Sequence, residues 1–163
     1  MLARSNARIG HGRRLAGISF NLWLARRSAW GFTQRIGRRA LRKVNEPFHD
    51  HFVKLMERKC HDGIVCGEYV IMPDHIHLFL RIDPNRYVVG KTVGFLKQSL
   101  SKPLRALDIA QPHWQPGFFD HILRSANSYS EKWDYVRNNP VRAGLVKCAD
   151  DWKYQGTISV VSY

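Results

Sequence analysis

The sequence has no acidic residue among its first 45 positions, no uncharged stretch approaching the length of a membrane span, and only three cysteines in 163 residues. Each shortage excludes something. Apolar runs such as Val70–Met72 and Ile76–Leu80 fall far short of the roughly 20 apolar residues that cross a bilayer, which sets aside a transmembrane helix. Arg26 and Arg27 follow Ile18–Ala25 without a small-residue cleavage site, so no secretion signal is expected. Cys60, Cys66 and Cys148 are odd in number and lack Cys-x-x-Cys spacing, which argues against a disulfide framework or a zinc ribbon and for reduced cytoplasmic thiols.

What is present is positive charge. With 26 Lys and Arg against 13 Asp and Glu, the formal charge is +13 and the pI about 10.2, a balance that favours a polyanionic partner over a neutral metabolite. The excess is N-terminal: residues 1–45 hold 11 of the basic residues, leaving 15 against 13 acidic ones thereafter. Residues 1–14 are expected to form a flexible basic arm and 15–163 a single domain. A protein binding nucleic acid in this way is expected in the cytoplasm, associated with the nucleoid.

Hydrophobic periodicity gives the element order. Ile18, Phe20, Leu22, Trp23 and Leu24 interrupt the basic block as a first strand, and Phe48, Phe52, Leu55 and Met56 recur at helical spacing between Pro47 and Lys59. Ile64–Met72 and His75–Ile82 flank the turn pair Pro73-Asp74 and predict a β-hairpin. Val89, Val93, Leu96 and Leu100 mark a second, basic-edged helix, and Phe118–Leu123 a short strand. Ser128-x-x-Glu131 has the pattern of a capping box opening a last helix that Asn139-Pro140 closes. Strand, helix, hairpin, helix, strand, helix is the order of an α+β, ferredoxin-like split βαβ antiparallel sheet with an added C-terminal helix.

Two segments carry chemistry. Along His75–Ile82 the side chains alternate, so Ile76, Leu78, Leu80 and Ile82 build an aliphatic face while His75 and His77 share the other, close enough for both imidazoles to meet one ion or to stand as plain polar residues. In the last helix Tyr129, Trp133 and Val136 form a packing stripe. Tyr135 lies about 200° from Trp133 and is left out of it, with Asn139 one turn further on the same side.

The wording of the motifs resembles a known family. Gly67-Glu68-Tyr69-Val70-Ile71-Met72-Pro73-Asp74-His75-Ile76-His77-Leu78 is similar to the HUH strand of single-tyrosine transposases. Trp114-Gln115-Pro116-Gly117-Phe118-Phe119-Asp120-His121 and the run from Tyr135 through Asn139-Pro140-Val141-Arg142-Ala143-Gly144-Leu145 to Val146 are similar to the REP-associated tyrosine transposases. Ile18–Leu24 is a looser match to that family's first strand. The resemblance implies the HUH endonuclease fold, a divalent metal ion (Mg²⁺ or Mn²⁺), and cleavage of single-stranded DNA at palindromic hairpins through a covalent 5′-phosphotyrosine. It assigns His75 and His77 to the metal, Tyr135 to the nucleophile and Asn139 to a third ligand. Lys97, Lys102, Arg105, Trp114, His121 and Arg124 are candidates for binding the DNA, with core packing the expectation for Phe118 and Phe119. His49, His51, His61 and His113 have no identifiable partner in the sequence. The implied protein acts as a monomer or homodimer. The alternatives are a hairpin-binding protein without catalysis and a metal-dependent phosphodiesterase whose nucleophile is water.

Overall fold

The computed structural model describes residues 17–23, 38–109, 111, 113–114, 117–123 and 125–160, with side chains from residue 46 onward except that of His121. The basic arm expected over residues 1–14 lies outside them, as does Arg124. Strands β1 (Gly17–Trp23), β2 (Ile64–Ile71), β3 (His75–Ile82), β4 (Phe119–Leu123) and β5 (Gln155–Thr157) form one antiparallel sheet in the order β4-β1-β3-β2-β5. Helices α1 (Arg38–His61), α2 (Val89–Ala106), α3 (Ala126–Arg137) and the short α4 (Asn139–Arg142) surround it. The α+β architecture and the element order from β1 through α3 are those the periodicity predicts; α4 and β5 follow them.

β3 is central, and both neighbours explain why. Its hairpin with β2 turns through Pro73-Asp74 and closes on a bond from Met72 N–H to the His75 carbonyl of 2.8 Å. On its other side β1 pairs along its whole length, placing Asn21 opposite His77 and Trp23 opposite His75. The strand with the looser sequence match thus supports the motif strand directly.

The pleat divides the core. Ile76, Leu78 and Leu80 are buried with Phe52 and Met56 of α1 and Leu96, Leu100 and Leu104 of α2. On the opposite face Phe79 packs with Val70, Met72, Leu123 and, from α3, Tyr129 and Val136. Tyr129 lies 4.8 Å from Phe79 between ring centres, and Trp133 meets the same ring edge-on at 5.9 Å. Among the described residues no helix is long and apolar enough to cross a membrane, and the three cysteines are free.

Four expectations are corrected. Helix α1 begins at Arg38 and contains Pro47 rather than starting there. The capping box of α3 lies one turn earlier than Ser128-x-x-Glu131. Ser125 is the cap, its hydroxyl accepting from the Ser128 N–H at 3.1 Å while Ser128 Oγ accepts from the Ser125 N–H at 3.2 Å. Asn139 does not end that helix: α3 stops at Arg137 and Asn139 opens α4. Phe118 packs against the core, but Phe119 is 66% exposed. It starts the edge strand β4, away from the cluster with Tyr129 that buries Leu123 at the strand's other end.

Candidate active site

The alternation that sends Ile76 and Leu78 into the α1 and α2 core turns His75 and His77 to the face covered by α3 and α4. Their Nε2 atoms stand 2.9 Å apart, with the rings nearly perpendicular. Asp74 Oδ1 lies 2.7 Å from His75 Nδ1. A carboxylate only accepts, so Nδ1 carries a proton and Nε2 is the nitrogen left to face His77. Asn139 Nδ2 lies 2.6 Å from His77 Nε2, and because an amide nitrogen only donates, that ring nitrogen is an acceptor.

The two Nε2 atoms therefore converge on one point, where a shared proton or a cation can stand between them. Their spacing is that of adjacent ligands on an ion with bonds of about 2.1 Å. The pair fits a divalent cation. His77 is buried at 6% exposure, and this burial, reinforced by the charges of His75, Lys132 and Arg142, pushes its pKa down to about 3, which keeps it neutral and available as a ligand. Among the described residues no third His, Cys, Asp or Glu completes a metal-holding cluster, and His77 Nδ1 has no hydrogen-bond partner.

Asn139 reaches the pair with its nitrogen, while Arg142 Nη2 donates to its Oδ1. Arg142 also donates from Nη1 to the Tyr135 carbonyl at 2.9 Å and lays its guanidinium 3.9 Å from the centre of the Tyr135 ring. On α3, Lys132 Nζ stands 5.2 Å from the same ring. Tyr135 is 57% exposed, whereas Tyr129 and Val136 on the packing stripe are buried. Asp74, His75, His77, Asn139, Arg142, Tyr135 and Lys132 thus form one connected cluster.

Among the described residues, the expected DNA-binding residues Lys97, Lys102, Arg105 and Trp114 are not part of it. Lys97, Lys102 and Arg105 lie on α2, across the sheet from the histidine pair. Lys97 donates to the Gly117 carbonyl, tying down the loop before β4. Trp114 is half-buried, donating to Ser101 Oγ at 2.8 Å and packing on Phe48. The side chains of His121 and Arg124 lie outside the described residues. His49 and His113 have partners: the Tyr69 hydroxyl at 2.8 Å and the Ile109 carbonyl at 2.9 Å. Sequence reasoning missed Lys132, although its spacing of three residues before Tyr135 places it on the same side of α3, and Arg142, whose position depends on how α4 follows Asn138.

Comparison with known proteins gives the chain's family and its relatives. The family model described as "Transposase IS200 like" matches residues 35–139. The REP-associated tyrosine transposase of Escherichia coli (strain K12) is 27% identical over 86 residues, covering 53% of this chain and 50% of that protein. A protein of Haemophilus influenzae provisionally named a REP-associated tyrosine transposase is 30% identical over 94 residues, covering 52% and 53%. The chain spans about half the length of these curated relatives. A solved structure described as a REP-associated tyrosine transposase bound to a REP hairpin shares the fold, with a TM-score of 0.61 at 19% identity over 93% of this chain and 82% of that one. Because the family match covers more than half of the sequence and runs from before α1 through β2, β3 and Tyr135 to Asn139, the chain belongs to the family of IS200-like transposases.

Proposed function

We propose that this transposase-family protein is a metal-dependent endonuclease and strand transferase that nicks single-stranded DNA at or near a hairpin, with Tyr135 as nucleophile. The observation that carries the reading is the convergence of His75 and His77 Nε2 at 2.9 Å in a cluster that also contains an exposed tyrosine. His75 and His77 would hold Mg²⁺ or Mn²⁺, with Asn139 the candidate for a third ligand, and the ion would polarise the scissile phosphate and offset charge on its oxygens.

The chain's own groups do the rest. Tyr135 gives up its phenolic proton to solvent and its oxygen attacks phosphorus. The P–O3′ bond breaks, and the departing 3′ oxygen takes up a proton, leaving a free 3′-hydroxyl and a 5′-phosphotyrosine. A phosphodiester is exchanged for a phosphodiester, so attack by another 3′-hydroxyl rejoins DNA without an external energy source. Lys132 and Arg142 flank the Tyr135 ring with positive charge, which favours the approach of a phosphate. Single-stranded DNA bearing palindromic hairpins is the proposed substrate, in keeping with the hairpin in the solved structure that shares this fold.

The test is to incubate the protein and Mn²⁺ with hairpin oligonucleotides labelled at either end. A denaturation-resistant adduct carrying the 3′-side label is expected, with release of the 5′-side fragment. Cleavage without an adduct would favour water as nucleophile, and binding without cleavage would favour a hairpin-binding protein.

A further inference from the structure

Arg142 makes three contacts that no surface charge requires. Its two terminal nitrogens serve different residues, the Tyr135 carbonyl and Asn139 Oδ1, while its plane covers the Tyr135 ring. A guanidinium has donors in a fixed planar fork and no acceptor, so the atom of Asn139 facing it must be the oxygen and the atom left for His77 must be the nitrogen. Without that hold only the His77 lone pair selects the nitrogen, and a single hydrogen bond leaves the amide freer to rotate.

We propose that Arg142 is a positioning residue, fixing the ring of Tyr135 and turning the Asn139 amide so that its nitrogen, not its oxygen, faces His77. Its effect on strand cleavage rests on the function proposed above; its effect on the amide does not. The arrangement couples nucleophile and ligand set through one side chain. While Arg142 holds Oδ1, Asn139 occupies His77 Nε2 as a hydrogen-bond donor. Once the fork lets go, the amide is able to rotate and offer its oxygen to a cation. A phosphate oxygen is the chemical group best suited to take the fork, because a planar pair of N–H donors matches it.

Isotope-labelled protein in chelator tests the amide directly. In the wild-type chain the Asn139 side-chain protons should show a nuclear Overhauser contact with the His77 ring proton next to Nε2. Arg142→Ala should weaken it with the backbone spectrum otherwise unchanged, and Arg142→Lys, which keeps the charge but not the fork, should weaken it too. With saturating hairpin and Mn²⁺, both variants should form adduct about tenfold to a hundredfold more slowly. A contact of undiminished intensity in Arg142→Ala, or a wild-type rate restored by lysine, would overturn the proposal. If the wild-type chain forms no adduct with any hairpin, the proposed function fails, and the amide contact alone still decides whether Arg142 positions Asn139.

Discussion

Asp74 Oδ1, 2.7 Å from His75 Nδ1, determines which nitrogen of that imidazole is left to face His77. A carboxylate behind a histidine ligand fixes its tautomer and raises its basicity, and loss of such a partner weakens metal binding by about tenfold to a hundredfold. Asp74→Ala should therefore bind Mn²⁺ more weakly by that factor in calorimetric titration. Its melting temperature should hardly move, since Asp74 is exposed. Unchanged affinity would show that His75 needs no such support.

Burial pushes His77 down to about 3, well below the 6.5 of an exposed imidazole. Between those values the unfolded chain takes up a proton that the folded site refuses, so stability rises with pH across this window and is lost as pH falls from about 6.5 toward 3. In chelator, His77→Gln should lose less stability than the wild-type chain between pH 7 and pH 4.5, measured as urea midpoints. Parallel curves would show that His77 does not resist protonation.

The hairpin and the division of the faces of β3 were legible because the β-formers of Ile64–Met72, the Pro73-Asp74 turn and the alternation over His75–Ile82 are local signals that tertiary structure had no reason to override. Other elements gave little signal. β5 is three residues long and centred on a glycine; its place is set by β2, with a Cβ on Gly156 falling 3.1 Å from the Tyr69 hydroxyl. The start of α1 lies among basic residues ahead of a proline, where neither an apolar stripe nor a start signal marks it. The cap of α3 was misplaced by one turn because Ser125 and Ser128 both suit the position, and only the reciprocal bonds distinguish them. At the site, side-chain direction identified His75, His77 and Tyr135 as facing away from the aliphatic packing. The links through Arg142 depend on how α4 folds back after Asn138, which spacing alone does not show.

The two tyrosines of α3 should separate chemistry from stability. Tyr135→Phe removes one oxygen from an exposed side chain, so it should abolish the adduct while leaving the melting temperature and hairpin affinity within error. Tyr129→Ala empties a buried position against Phe79 and should cost about 3–5 kcal/mol in denaturant unfolding. Adduct formed at the wild-type rate by Tyr135→Phe would end the nucleophile assignment.

The net charge of +13 predicts binding that weakens steeply with salt, by about 0.7 in log K per log unit of salt for each single-strand phosphate neutralised. Deleting residues 1–14, which carry Arg4, Arg8, Arg13 and Arg14, should make that slope shallower in fluorescence anisotropy if the arm lies on DNA. The adduct should still form at saturating substrate. An unchanged slope would make the arm a bystander, and a lost adduct would make it part of the domain.

Tandem mass spectrometry of the protein after reaction with a hairpin oligonucleotide and nuclease trimming tests the central claim most directly. The account predicts a nucleotide attached through its 5′ phosphate to the peptide containing Tyr135, at that residue and no other. Cleaved DNA with every tyrosine unmodified, or a nucleotide on a different residue, would contradict it.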